Sequence, residues 1–175
     1  MSVTLRKQID TSRWEAPLRD AARRAGDLTP VHRQIGELLT NVVHRNFDSN
    51  GNGRWPDLSV STLIARARGR TGTAKVFKQA RKGVESRALT KHAQTIIEGA
   101  KALIWSGRLY RSITYLADRA FVEVGSNLKQ AARLFFGSGP GVRPATPARN
   151  PFELLPGDEQ TIMELYRIYL TGGLT

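Results

Sequence analysis

Apolar positions recur along the chain with two periods, and each change of period marks a new part. Between Thr11 and Ala25, Trp14, Leu18, Ala21, Ala22 and Ala25 fall at helical spacing around "RDAARR", which predicts a short amphipathic helix. "GDLTP" breaks it, and Thr29 before Pro30 supplies an N-cap and first-turn pair for a second helix. That helix has the clearest stripe in the protein, Val31, Ile35, Leu38, Leu39, Val42, Val43 and Phe47, and should pack lengthwise against a sheet or another helix. His32 and His44 on it read as solvated helix residues rather than ligands.

The period then drops to two. In "LYRSITYLADRAFVEVGS", Leu109, Arg111, Ile113 and Tyr115 alternate with Tyr110, Ser112, Thr114 and Leu116, as in a strand with one covered face. A second strand is expected from Phe121 to Val124, ended by Gly125, and a short helix from Leu128 to Phe136, stopped by Gly137. "PGVRPATPARNPFELLPG" holds five of the eight prolines, so it must run extended and outside any central strand. A last helix, capped by Asp158, carries Ile162, Leu165, Tyr166, Tyr169 and Leu170. The expected fold is α+β, with N-terminal helices packed on a small antiparallel β-sheet, a long basic loop or arm, and a C-terminal helix. One domain is expected over 1–175, with an N-terminal helix in 1–29, an α+β core in 30–65 and 102–175, and the basic arm in 66–101.

Composition narrows the chemistry. The chain has 175 residues, 40% of them hydrophobic, enough to bury a core. It has no cysteine, so disulfides and thiolate metal sites are excluded, and a zinc site would depend on three scattered histidines. There is no apolar run long enough to span a bilayer and no signal-peptide core, so a protein made in the cytoplasm and not held in a membrane is expected.

The stretch "FDSNGNGRWPDLS" resembles half a calcium loop, with Asp48, Asn50 and Asn52 at positions one, three and five and Gly53 at six. A calcium loop closes with a bidentate glutamate at position twelve, where this chain has Ser59; position seven is Arg54 and position nine Pro56. The expected structure is a polar turn after a helix.

Charge is the most unusual bulk property. Lys and Arg number 27 against 15 acids, a formal net charge of +12, and such a surface attracts nucleic acid or acidic proteins. Ten of those cations (Arg66, Arg68, Arg70, Lys75, Lys78, Arg81, Lys82, Arg87, Lys91 and Lys101) stand between Arg66 and Lys101 against Glu85 and Glu98, so this segment holds +8 of the +12. "ARARGRTGTAK" has poor apolar periodicity and reads as a mobile loop or arm, ordered on a partner. Contact with phosphates or an acidic surface and a solvated basic loop both stand as readings, since only Phe77 interleaves an aromatic.

No catalytic set is legible. "GRTGTAK" lacks phosphate-loop spacing, "FGSGPG" lacks the spacing of a nucleophile elbow, and Asp57, Asp118 and Glu123 offer no evident acid–base pair. The expectation is a protein that is not an enzyme and uses no cofactor or metal.

Three ordered pieces resemble the phage virion morphogenesis family, the tail-completion proteins of Mu-like and related tailed phages. The first is a helix ending in Phe47, a Gly-containing turn, then Trp55, Pro56, Leu58 and Thr62. The second is "LIWSGRLYRSI", with Ser106, Gly107, Leu109, Ser112 and Ile113, where Gly107 allows a sharp turn into the strand. The third is "VEVGS" followed by "ATPARNPFELLPGDE", with Pro147, Arg149, Pro151 and Phe152. Here Asn150 separates Arg149 from Pro151, and "AARLFFGSG" replaces the family's tyrosine-alanine and histidine-glutamine, so this loop departs from the pattern.

Spanning most of residues 30–170, the resemblance implies a structural virion protein at the head–tail junction, a tail-completion, tail-terminator or neck protein needed for virion assembly and DNA passage. It implies a homo-oligomeric ring, expected to be a hexamer, contacting neck, connector or tail-tube proteins and, transiently, channel DNA. The protein would be assembled in the host cytoplasm and located in the virion. Candidate interface residues are Arg66, Arg68, Arg70, Lys75, Lys78, Arg81 and Lys82, with their cations on partner proteins rather than on the bore. Phe135 and Phe136 are adjacent and cannot both face inward, so one is a candidate subunit contact. Trp55 and Phe152 read as core anchors. The alternative is a nucleic-acid-binding protein whose arm grips phosphates.

Overall fold

Where the apolar stripe is longest, the chain forms its longest helix. A computed structural model describes residues 12–78, 88–139, 141 and 145–172. The protein is α+β, with helices at the N-terminus, a two-stranded antiparallel sheet and a C-terminal helix. In chain order these are α1 (Ser12–Ala25), α2 (Thr29–Asp48), α3 (Val60–Ala67), α4 (Lys91–Glu98), α5 (Arg108–Arg111), β1 (Ile113–Ala117), β2 (Val122–Ser126), α6 (Ala131–Phe136) and α7 (Pro156–Thr171). The chain divides into two compact units, one of residues up to Leu39, Tyr115–Val124 and Leu154 onward, the other of Thr40–Thr114 and Gly125–Glu153.

In the first unit α1 packs on α7. Arg24 donates to the Leu170 carbonyl at 3.1 Å and the Tyr169 hydroxyl to the Asp27 carbonyl at 2.6 Å. Trp14 and Leu18, on the apolar stripe expected of α1, are 66% and 67% exposed. Helix α2 begins at Thr29, whose N–H donates to Asp27 Oδ1 at 3.0 Å, so Asp27 satisfies one of the amides that a helix start leaves open. Gly36 lies so close to Tyr115 that an added Cβ would fall 2.3 Å from the ring. Helix α7 starts with a reciprocal pair: Leu155 N–H donates to Asp158 Oδ2 and Asp158 N–H to the Leu155 carbonyl, each at 2.8 Å. Asp158 therefore acts from the third helical position rather than as the N-cap.

His32 and His44 are not solvated, contrary to the reading from sequence. His32 is buried, donates from Nδ1 to the Asp118 carbonyl at 2.5 Å and meets the Tyr166 ring edge-on. His44 is half-buried and stacks on Tyr110 at 4.1 Å, its Nε2 donating to the Tyr110 carbonyl at 3.1 Å. Rings of this size cover apolar neighbours while a single polar atom finds a carbonyl.

The strand expected from Leu109 starts only at Ile113. Residues 108–111 coil into α5 because Gly107 takes φ 69°, and the Ser112 hydroxyl and N–H both donate to the Leu109 carbonyl, closing a turn. Leu109 and Ile113 are both buried and four residues apart, a spacing that fits either period, so alternation alone could not separate the two. Strand β2 runs through Gly125 to Ser126 instead of ending there, and the Ser126 and Ser112 hydroxyls meet at 2.6 Å. Helix α6 starts at Ala131, later than Leu128, and Gly137 ends it with φ 79°.

Candidate functional site

The Asn/Gly turn that resembles a calcium loop is a run of left-handed residues. Asn50, Gly51, Asn52 and Gly53 have φ of 50°, 63°, 56° and 75°, a region that only Gly and, next to it, Asn adopt readily. Their side-chain oxygens already have protein donors: Asn50 Oδ1 accepts from Ala102 N–H at 2.9 Å and Asn52 Oδ1 from the Ser49 hydroxyl at 3.2 Å. Asp48 accepts from Lys101 Nζ at 2.7 Å and from the Tyr110 hydroxyl. The Lys101 hydrogen bond, ahead of its charge and the Tyr110 contact, holds the Asp48 carboxyl below the usual carboxylate range against burial. Burial, then Asp48, raises the Tyr110 phenol.

The turn delivers Trp55 into the second unit, beside Phe47, which is fully buried. Phe47 also meets Tyr110 and Phe135 edge-on, and Phe135 meets Phe152 at 5.2 Å. Two of the resemblance motifs join here. Trp55 Nε1 donates to the Asn150 carbonyl at 3.2 Å, and Arg149, 5% exposed, donates from Nε and Nη2 to the Pro56 carbonyl and from Nη2 to the Asp57 carbonyl. Asn46 Nδ2 donates to the carbonyls of Pro151 and Glu153 at 2.8 Å, tying α2 to the same segment. Pro151 and Leu109 are buried, Leu58, Gly107 and Phe152 are half-buried, and Pro56 and Pro147 are exposed. Asn46 is the member that sequence reading missed; its only signal was a polar residue inside the apolar stripe of α2.

The basic segment does not stand off as an arm in its described part. Ala67, Val76 and Ala93 are buried together, with Ile64, Leu89 and Ile97 packed on them, and α3 lies against α4. Phe77 pairs with Leu89 through an isolated bridge, and the Thr90 hydroxyl accepts from Ala93 N–H while donating to the Lys75 carbonyl. Small residues at helical spacing made this segment look structureless, yet their size lets two short helices approach. Arg66, expected at an interface, turns inward: its guanidinium donates to the carbonyls of Lys101, Ala102 and Ile104 at 2.6, 3.0 and 3.2 Å. Arg68, Arg70, Lys75 and Lys78 are exposed and have no side-chain partner among the described residues. Arg81 and Lys82 lie outside the described residues. Of the adjacent aromatics, Phe135 is buried in the Phe47 cluster and so is not a contact residue, while Phe136 is 71% exposed.

Among the described residues no three His, Asp or Glu gather as a metal-binding group, and no helix is long and apolar enough to cross a membrane. Compared with known proteins, the chain matches no family model, no curated protein and no solved structure.

Proposed function

We propose that this protein is a non-catalytic structural protein of a tailed bacteriophage virion, forming an oligomeric ring, a hexamer, at the head–tail junction as a tail-completion, terminator or neck protein. The observation that carries the reading is the convergence of two resemblance motifs ninety-odd residues apart, Trp55–Pro56–Asp57 and Arg149–Asn150, through the Trp55 and Arg149 hydrogen bonds. A scaffold closed in this way supports a small assembly domain. What it leaves outward is contact chemistry: Phe136, and the exposed cations Arg68, Arg70, Lys75 and Lys78. A cationic bore would hold DNA back, so these cations face acidic neighbouring proteins. A heterologous contact repeated around an axis closes a ring.

Light scattering on the purified chain across concentration, beside electron microscopy of intact virions, tests the reading. It expects a ring-sized species, or a six-fold ring of this chain at the neck. A persistent monomer absent from the neck overturns it. The rival, a phosphate-gripping nucleic-acid binder, predicts DNA affinity that falls steeply with salt and persists without protein partners.

A further inference from the structure

The α3–α4 pair and the chain that follows it enclose a cleft of about 380 Å3, lined chiefly by Arg66, Arg70, His92, Ile96, Ile104 and Trp105. All of these residues belong to one compact unit. Arg66 brings to it a half-buried positive charge whose hydrogen bonds all go to neutral carbonyls, with no carboxylate at ion-pair distance among the described residues. Carbonyls satisfy the donors and leave the net charge uncompensated, and a desolvated charge without a counter-ion is unfavourable until an anion approaches. Burial, with Arg149 acting the same way, lowers the pKa of Arg66, as expected for that condition. Among the described residues, Arg70 and His92 have no side-chain partner and no Asp or Glu lines the cleft. Beside these groups stands an open apolar wall, with Trp105 59% and Ile96 37% exposed.

We propose that this cleft is a docking site for an acidic segment of a partner protein, which seats a large apolar side chain against Trp105 and Ile96 and brings a carboxylate to Arg70 beside the Arg66 charge. Both halves of that ligand are required by the wall: charge alone leaves the indole wet, and an apolar group alone leaves the guanidinium without a counter-ion. Single-stranded nucleic acid is held differently, by successive aromatic stacks along a row of cations. Here Trp105 is flanked by the aliphatic Ile96 and Ile104, and the one further ring among the described lining residues is the His92 imidazole, too few for a row of stacks. The volume suits one large side chain with its neighbour, at the small end of ligand sites. The proposal is separate from the ring reading, since a chain that stays monomeric still carries the cleft.

The test titrates the full chain by calorimetry with the acetylated, amidated hexapeptide Asp-Glu-Phe-Leu-Asp-Glu, with hexaglutamate and a hexamer of thymidylate as comparators. Expected is saturable one-to-one binding of the hexapeptide, weakened about tenfold by Arg70→Glu and by Trp105→Ala, as for loss of one desolvated contact. Val60→Ala, 72% exposed at the start of α3 and outside the cleft, should leave it unchanged. Should Trp105→Ala lose its far-ultraviolet circular dichroism, Trp105→Phe, which keeps the apolar wall, and Arg70→Gln decide instead: near-normal binding in the first and weakened binding in the second are expected. No saturable binding, equal binding by the Arg70 and Trp105 variants, or hexaglutamate binding as tightly as the apolar peptide overturns the proposal. Tighter binding of thymidylate, lost in the same variants, overturns it in favour of nucleic acid. Light scattering on the same samples reads the oligomeric state independently.

Discussion

Arg149 is a buried guanidinium used as a bracket: its two nitrogens hold the Pro56 and Asp57 carbonyls from across the sequence. Replacing it with Leu keeps bulk and leaves those carbonyls unpaired, so urea denaturation should show a loss of about 1–3 kcal/mol. Arg149→Lys should also destabilise, because an ammonium cannot reproduce the planar fork. Gly51 and Gly53 offer a paired comparison, since both have positive φ. An added Cβ at Gly53 meets open space, whereas at Gly51 it would sit 2.2 Å from the Trp55 indole. Gly53→Ala should cost about 1–2 kcal/mol from backbone strain alone, and Gly51→Ala clearly more, read as the difference in thermal midpoints. Asp48 sets an acid limit. A depressed folded pKa gives stability that is complete above the unfolded value of about 3.9 and is lost as pH falls through the folded value. Asp48→Asn should therefore lower the urea midpoint at neutral pH, and the gap to the unaltered chain should close below about pH 4.

Helix α6 shows how an element sorts adjacent residues that composition cannot. Phe135 is buried among Phe47 and Phe152 while Phe136 points outward, a difference of one residue, or about 100° around a helix. Phe135→Ala should cost about 3–5 kcal/mol, and Phe136→Ala should stay within about 0.5 kcal/mol in the same chemical denaturation. The sequence showed that the two must part, but which one faces inward follows from where α2 places Phe47. Long stripes were legible in the same direct way: α2 and α7 fall where their apolar periods run. Short elements were not. The four residues of α5 carry one buried side chain and a spacing common to both periods, and the α3–α4 pair buries alanines, which register weakly in any apolar count.

Taken whole, the molecule carries its +12 on a surface whose basic segment is folded rather than loose in its described part. Exposed Arg68, Arg70 and Lys75 make no side-chain hydrogen bonds among the described residues, so changing all three to Glu, which halves the net charge, should leave the thermal midpoint nearly unmoved. The same triple variant should elute much earlier from a cation exchanger, since three exposed positive charges become negative. Sequence set what depends on local pattern and on totals: the α+β class, the two long helices, the charge and its concentration between Arg66 and Lys101, and a polar turn after α2 written in alternating Asn and Gly. Those follow from backbone sterics, periodicity and counting, each fixed within a few residues. Folding in three dimensions settled which polar groups pair across long separations: His32 with Asp118, Asn46 with Pro151, Arg149 with Pro56, and Arg66 turned inward to Lys101. Buried donors must find acceptors, but sequence names the donor without its partner, because the acceptor is a backbone carbonyl that every residue carries.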